Sequence, residues 1–126
     1  MKPVNPPGWK RPNGYSNGVI ENGFLFVSGQ VGWDETGAFA PDLVAQIRQA
    51  LRNIRAIVEA AGTRPQQIVR LTWYVTDRQA YKAHLAEIGT TYRDIIGRYF
   101  PAMSVVEVSG LVEDGAQVEI EATVAM

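Results

Sequence analysis

The chain has 126 residues, of which 46% are hydrophobic and 20% charged, and these values predict one ordered domain over residues 1–126. Twelve basic and thirteen acidic residues leave a net charge of −1, so nucleic acid and membranes are not expected partners. With no cysteine and a single histidine, disulfides and thiol catalysis are excluded, and neither a metal nor a cofactor is expected.

The first third of the chain predicts a hairpin after an irregular lead-in. The first dozen residues hold four of the seven prolines and no apolar signal segment, so we expect irregular structure there and a cytoplasmic location. Residues 15–20 and 24–31 are rich in apolar side chains, and Asn22-Gly23 stands between them. This arrangement is typical of two strands joined by a tight turn.

A long amphipathic helix is predicted next. Pro41 suits the first helical position, Asp42 complements the helix dipole and Gly62 ends the helix. Apolar side chains recur between them at helical spacing, at Leu43, Ile47, Leu51, Ile54 and Val58.

The second half predicts strand, helix, strand, strand. Apolar and polar residues alternate over 69–75 and 117–124, and residues 104–108 form a shorter strand. Between the strands 69–75 and 104–108, Asp77 can cap a helix that Pro101 ends. The order β-β-α-β-α-β-β predicts an α/β (α+β) fold with a mixed sheet and both helices on one face, because crossovers are right-handed.

The other sheet face is predicted to lack a cover within the chain. It would carry Tyr74, Glu119 and Tyr15 or its neighbours. Because this surface is aromatic and only half polar, we expect it to be buried against another copy of the chain.

Six segments carry a resemblance to a known family. They are Tyr15-Ser16, Phe26-Val27-Ser28-Gly29-Gln30, Val58-Glu59-Ala60-Ala61-Gly62, Phe100-Pro101-Ala102, Val106-Glu107-Val108 and Val118-Glu119-Ile120-Glu121-Ala122. Together they resemble the reactive intermediate deaminase family, also called Rid, YjgF or L-PSP. The resemblance implies a chorismate mutase-like fold and a homotrimer with a small-molecule pocket between each pair of subunits.

The resemblance also implies roles for residues that match the family pocket. Tyr15, Ser28 and Gly29 are expected to bind substrate, and Glu119 is expected to be catalytic. A backbone N–H near Gly29 could bind a developing oxyanion or a water, and Glu119 could move protons to and from that water.

Three pocket positions depart from the family. Met103 stands where the family's active deaminases bind the substrate carboxylate with an arginine, and Gly89 and Val105 replace an asparagine and a small sulfur-bearing residue. A guanidinium makes two charge-assisted hydrogen bonds to a carboxylate, whereas a thioether is an uncharged, weak acceptor. We therefore expect an enamine, an imine or a related small amine that depends less on a carboxylate.

Other interpretations stay open. Glu119 could simply lie on the wet face of a strand, and Glu121 is expected at the surface or an interface. His84 is expected to be a packed or rim histidine, and Arg48, Arg52 and Arg55 to form a solvated helix face. The predicted function is hydrolytic deamination, with a non-catalytic small-molecule-binding or regulatory trimer as the alternative and an endoribonuclease as a more distant one.

Overall fold

Six strands form one mixed sheet in a computed structural model that describes residues 1–126. The strands are β1 Lys2–Val4, β2 Gly18–Glu21, β3 Phe24–Val31, β4 Ile68–Val75, β5 Ala102–Glu107 and β6 Val118–Ala125, and the helices are α1 Leu43–Ala60, α2 Arg78–Ala83 and α3 Leu85–Ile95. The order across the sheet is β1-β2-β3-β6-β4-β5. Only β4 and β5 are parallel, so the predicted mixed sheet is confirmed.

The predicted hairpin is present as β2 and β3. Asn22 and Gly23 have φ angles of 50° and 79°, which is the backbone that a two-residue hairpin turn requires. Strand β2 begins at Gly18 rather than at Tyr15, which lies in the segment before it. The hairpin therefore places Tyr15 at the end of the sheet, outside the ladder.

The lead-in is not irregular throughout, and this part of the prediction was wrong. Residues Lys2–Val4 pair antiparallel with β2, and Val4 is buried in the core. Proline is tolerated in an edge strand because its missing N–H removes no hydrogen bond from the sheet interior. The proline in this segment indicated irregular structure, although the segment forms the edge strand of the sheet.

The second predicted helix is two helices. Asp77 caps α2 as predicted, since its carboxylate accepts from the backbone N–H groups of Gln79 and Ala80 at 3.0 and 3.1 Å. The chain then breaks at His84, whose φ of −122° is not helical, and α3 ends at Ile95, before the predicted stop at Pro101. The His84 ring is half-buried, with Nδ1 2.8 Å from the carbonyl oxygen of Ala80.

The core lies between the sheet and the two long helices, which pack on the same face. Helix α1 begins after Asp42, which is its N-cap rather than a residue of its first turn. The Asp42 carboxylate accepts from the backbone N–H of Ala45 at 2.9 Å. The largest fully buried side chains of the interface come from α1, β3, β4 and β6 and include Leu25, Ile47, Leu51, Ile54, Leu71, Trp73 and Ile120. Burial of this apolar surface holds the helices on the sheet.

A buried glutamine on α1 joins two loops by hydrogen bonds. Gln46 is 2% exposed; its Nε2 donates to the carbonyls of Ala40 and Gly115 at 3.1 and 3.0 Å, and its Oε1 accepts from Gln117 N at 2.8 Å. The chain passes so close that a Cβ on Gly32 would lie 2.4 Å from Cβ of Gln46. Gln46 therefore positions both the loop after β3 and the loop before β6.

We expect Gln46→Leu to lower the free energy of unfolding by about 2–4 kcal/mol, because three backbone groups would lose their partners in a buried site. Urea denaturation followed by circular dichroism measures the change. Gln66→Leu, at an exposed position in the turn before β4, is the matched control and should stay within about 0.5 kcal/mol of the parent. Equal effects in the two variants would contradict a tying role for Gln46.

Candidate active site

A β-bulge in β3 shapes the candidate site. Val27 pairs with Ala122 and Gln30 with Ile120, so three steps along β3 correspond to two along β6. Ser28 and Gly29 lie in this irregular part of the ladder. Bulges bend a strand and re-aim its side chains, and they are common beside active sites.

Glu119 of β6 lies directly over Gly29. A Cβ atom added to Gly29 would be 2.7 Å from Cδ and 2.9 Å from Oε2 of Glu119, so the carboxylate occupies the space of a missing side chain. The Glu119 side chain is half-buried. Burial raises the pKa of Glu119, and the neighbouring carboxylate of Glu121 raises it further. This glutamate is thus better suited than a solvated one to exchange a proton near neutral pH.

Tyr74 and Glu121 lie beside Glu119 on the same face. Tyr74 stands opposite Glu119 in the ladder, and its hydroxyl donates to Oε1 of Glu121 at 2.8 Å. That hydrogen bond raises the pKa of Tyr74, which keeps the phenol protonated. Glu121 is exposed, as expected, and accepts this hydrogen bond, whereas the carboxylate of Glu119 accepts no hydrogen bond within the chain.

Ser28 holds the segment that carries Tyr15. Its hydroxyl donates to the carbonyl of Ser16, and its backbone N–H donates to the carbonyl of Asn17 at 2.9 Å. The Ser28 proton is therefore committed within the chain. Tyr15, two residues away from Asn17, is 56% exposed and has room to contact a ligand.

The three departing positions lie on the other side of the sheet. Met103 and Val105 pair with Leu71 and Trp73, which face the helices. Directly paired residues share a face, so Met103 and Val105 also point to the helix side. Met103 is 39% exposed at the edge strand β5.

Gly89 lies on α3, on that same side of the sheet, where an added Cβ would be 3.2 Å from Nη1 of Arg93. Glu119 pairs with Tyr74 on the opposite face. One chain alone therefore brings together Glu119, Gly29 and Ser28, with Tyr15 nearby, and keeps Met103, Val105 and Gly89 apart from them.

Sequence reasoning missed a cavity next to Gly29. It has a volume of about 330 Å³ and lies between the segment before β2 and the loop after β3. Its lining comprises Trp9, Lys10, Arg11, Pro12, Asn13, Tyr15, Asn17, Gly29, Gln30, Trp33, Asp34, Glu35, Thr36, Gly37 and Asn53. The available signal was a pair of tryptophans, Trp9 in the lead-in and Trp33 just after the second predicted strand. No group of three His, Asp or Glu side chains is arranged to hold a metal ion, and no helix has the length and apolar character needed to cross a bilayer.

Comparison with known proteins shows the relationships of the chain. The family profile described as Endoribonuclease L-PSP matches residues 9–126. A 2-iminobutanoate/2-iminopropanoate deaminase of Salmonella typhimurium is 41% identical over 112 residues, covering 86% of this chain and 84% of the relative. The crystal structure of the YjgF gene product of Escherichia coli superposes with a TM-score of 0.85 at 35% identity, covering 99% and 98% of the two chains. E. coli TdcF with bound serine gives a TM-score of 0.83 at 31% identity, covering 100% and 99%.

We expect Glu119→Gln to make the fold more stable than the parent at pH 7–8. Burial raises the pKa of Glu119 in the folded chain, so the ionised side chain disfavours folding above that pKa, and the neutral amide removes the penalty. As the pH falls, the folded parent takes up the proton first, and the difference should vanish below about pH 4. Melting temperatures of both proteins across this range provide the measurement. If the melting temperature of Glu119→Gln rose relative to that of the parent as the pH fell, the fold would stabilise the carboxylate instead.

Proposed function

The chain belongs to the Endoribonuclease L-PSP family, the Rid or YjgF family of deaminase-type proteins, and we propose that it hydrolyses a reactive enamine or imine of a small amine. The observation that carries the proposal is the half-buried carboxylate of Glu119 over Gly29, with its raised pKa. Relatives about 40% identical are named 2-iminobutanoate/2-iminopropanoate deaminases. A solved relative, E. coli TdcF, holds serine.

The proposed reaction needs one group that takes and returns a proton. Glu119 accepts a proton from water as the water oxygen bonds to the carbon of a protonated imine. The same proton passes to the nitrogen of the tetrahedral intermediate. As the C–N bond breaks, Glu119 takes the proton of the new hydroxyl group, ammonia and a carbonyl compound leave, and Glu119 then returns the proton to solvent. An enamine first gains a proton from solvent at carbon, which gives the protonated imine. A carboxylate with a raised pKa suits both directions of transfer.

Met103 restricts the proposed substrate. The compounds in the names of the relatives carry a carboxylate next to the reacting carbon, and a methionine supplies neither charge nor a donor to it. Substrates whose affinity rests on other groups are therefore favoured.

The separation of the two residue groups supports a pocket built from two copies. Glu119 and Met103 lie on opposite faces of one sheet, so they can line one pocket only if they come from different chains. The open face also exposes apolar side chains, with Phe24, Phe26 and Val106 exposed by 41%, 47% and 43%. We therefore include a homotrimer in the proposal, with the open face as its interface.

The arginine row of α1 does not favour RNA cleavage. Arg48 contacts Asp94 at 3.3 Å, and Arg55 contacts Glu59 at 3.4 Å and donates to the carbonyl of Ile95 at 2.8 Å. Two of the three arginines are thus engaged within the chain, and only Arg52 is an exposed cation without such a contact.

We expect ammonia release from a panel of enamines and imines generated in situ, including neutral members without a carboxylate. Glu119→Gln should lower kcat at least a hundredfold, because the amide cannot shuttle the proton. Glu121→Gln, on the same strand and face, is the matched control and should keep most of the activity. An active Glu119→Gln variant would remove the proposed mechanism. If the parent released no ammonia from any compound, a trimer that only binds a small molecule would replace the deaminase.

We expect sedimentation equilibrium at micromolar concentration to give about three times the chain mass of 13.9 kDa. Phe26→Glu should shift the protein toward monomer, because it places charge in the apolar part of the proposed interface. Lys82→Glu, at an exposed position of α2, controls for the change of charge and should remain a trimer. A parent protein that sediments as a monomer would eliminate the shared pocket.

A further inference from the structure

The cavity beside Gly29 has the size and lining of a small-molecule site. Its volume of about 330 Å³ lies at the lower end of the range for ligand pockets. Trp9, Trp33 and Tyr15 supply aromatic surface, and the remaining lining is polar apart from one proline and two glycines. Tyr15 and Gly29 also belong to the candidate active site, but the proposed deamination does not account for the rest of this lining.

Two buried amide side chains line the cavity with unpaired oxygens. Gln30 is 4% exposed, and its Nε2 donates to the carbonyl of Ser28 at 3.0 Å while its Oε1 accepts from no group of the chain. Asn17 is 6% exposed; its Nδ2 donates to Oδ1 of Asn5 at 3.0 Å, and its own Oδ1 accepts from no group.

The orientation of both amides is fixed by backbone groups. The carbonyl of Ser28 can only accept, so the atom of Gln30 that contacts it is the nitrogen. Oδ1 of Asn5 also accepts from the backbone N–H of Asn17, so the Asn17 atom beside it must be the donor nitrogen. The free atoms on Gln30 and Asn17 are therefore acceptors, and a ligand that satisfies them must bring hydrogen-bond donors.

The charged lining residues carry both signs. Lys10 and Arg11 are fully exposed positions whose heads can extend into solvent, whereas Asp34 is half-buried. The carboxylate of Asp34 accepts through Oδ1 from the hydroxyl of Thr36 and from the backbone N–H groups of Ala38 and Thr36, and these hydrogen bonds hold its pKa below the ordinary range and keep it ionised. Exposed cations contribute little to affinity because water screens their charge, so the amide oxygens and the aromatic surface govern it.

We infer that this cavity binds a small primary ammonium compound with an apolar or aromatic body. The ammonium would donate to Oε1 of Gln30 and Oδ1 of Asn17, and the body would pack on the tryptophans. An ammonium near aromatic rings gains a further attraction that a hydroxyl lacks. This site shares Tyr15 and Gly29 with the proposed catalytic one, but it uses neither Glu119 nor the proton transfer that the deamination needs.

Isothermal titration calorimetry of the full chain with benzylamine, benzyl alcohol and benzoate tests the inference. These probes have nearly the same size and differ in the group that would meet the two oxygens. Benzylamine should bind about tenfold more tightly than benzyl alcohol, and benzoate should bind most weakly. Tighter binding of benzoate, equal binding of all three probes, or no heat from benzylamine at millimolar concentration would each overturn the inference.

Variants locate the binding. Asn17→Ala should weaken benzylamine binding about tenfold. Trp33→Leu changes a different wall of the cavity and should weaken the same binding. The site can therefore be tested even if one of the two variants does not fold. The double variant Lys10→Ala with Arg11→Ala is the control; it should bind benzylamine at least as well as the parent, because it removes only repulsive charge. Weaker binding in this control together with unchanged binding in Asn17→Ala would place the amine elsewhere.

Discussion

The close contact between Gly29 and Glu119 is the constraint on which the rest of the site depends. The bulge of β3 brings the backbone of Gly29 against the carboxylate, with no room for a Cβ. The same irregularity turns Gln30 to the buried side, where its amide lines the neighbouring cavity. Polar groups of α1 complete the arrangement, since Asn53 donates to the carbonyls of Val31 and Trp33 at 3.1 and 2.9 Å. One backbone deviation therefore shapes both the contact between Gly29 and Glu119 and the neighbouring cavity.

Helix α1 supports the bulge with buried polar side chains, and the surrounding apolar packing offsets the free-energy cost of burying them. Gln46 and Asn53 are buried polar residues in an otherwise apolar face of α1, and each would be destabilising without its partners. Both find backbone groups that the irregular strand and loops leave unpaired. The neighbouring Ile47, Leu51 and Ile54 are fully buried and supply the apolar packing. The site thus rests on a helix whose polar positions match the breaks in the sheet.

The sequence predicted the features that follow from local periodicity. The Asn22-Gly23 turn, the apolar stripe of α1 and the alternation in β4 and β6 were all sufficient for correct assignments. Features that depend on distant partners were missed: β1 forms only because β2 offers an edge, and the helix breaks at His84 without a proline or glycine. The resemblance named Gly29 and Glu119, but their contact arises from a register shift between strands, which no local pattern shows.

The position of Met103 bears on why the family arginine is absent. Met103 lies on the edge strand and is 39% exposed, beside half-buried Val105. An arginine could place its stem along the same surface and keep its guanidinium in water, as long cationic side chains commonly do. Folding of the chain therefore does not require methionine at this position. A change at this position therefore concerns the β5 edge, where the proposed pocket between two copies would lie, rather than the core.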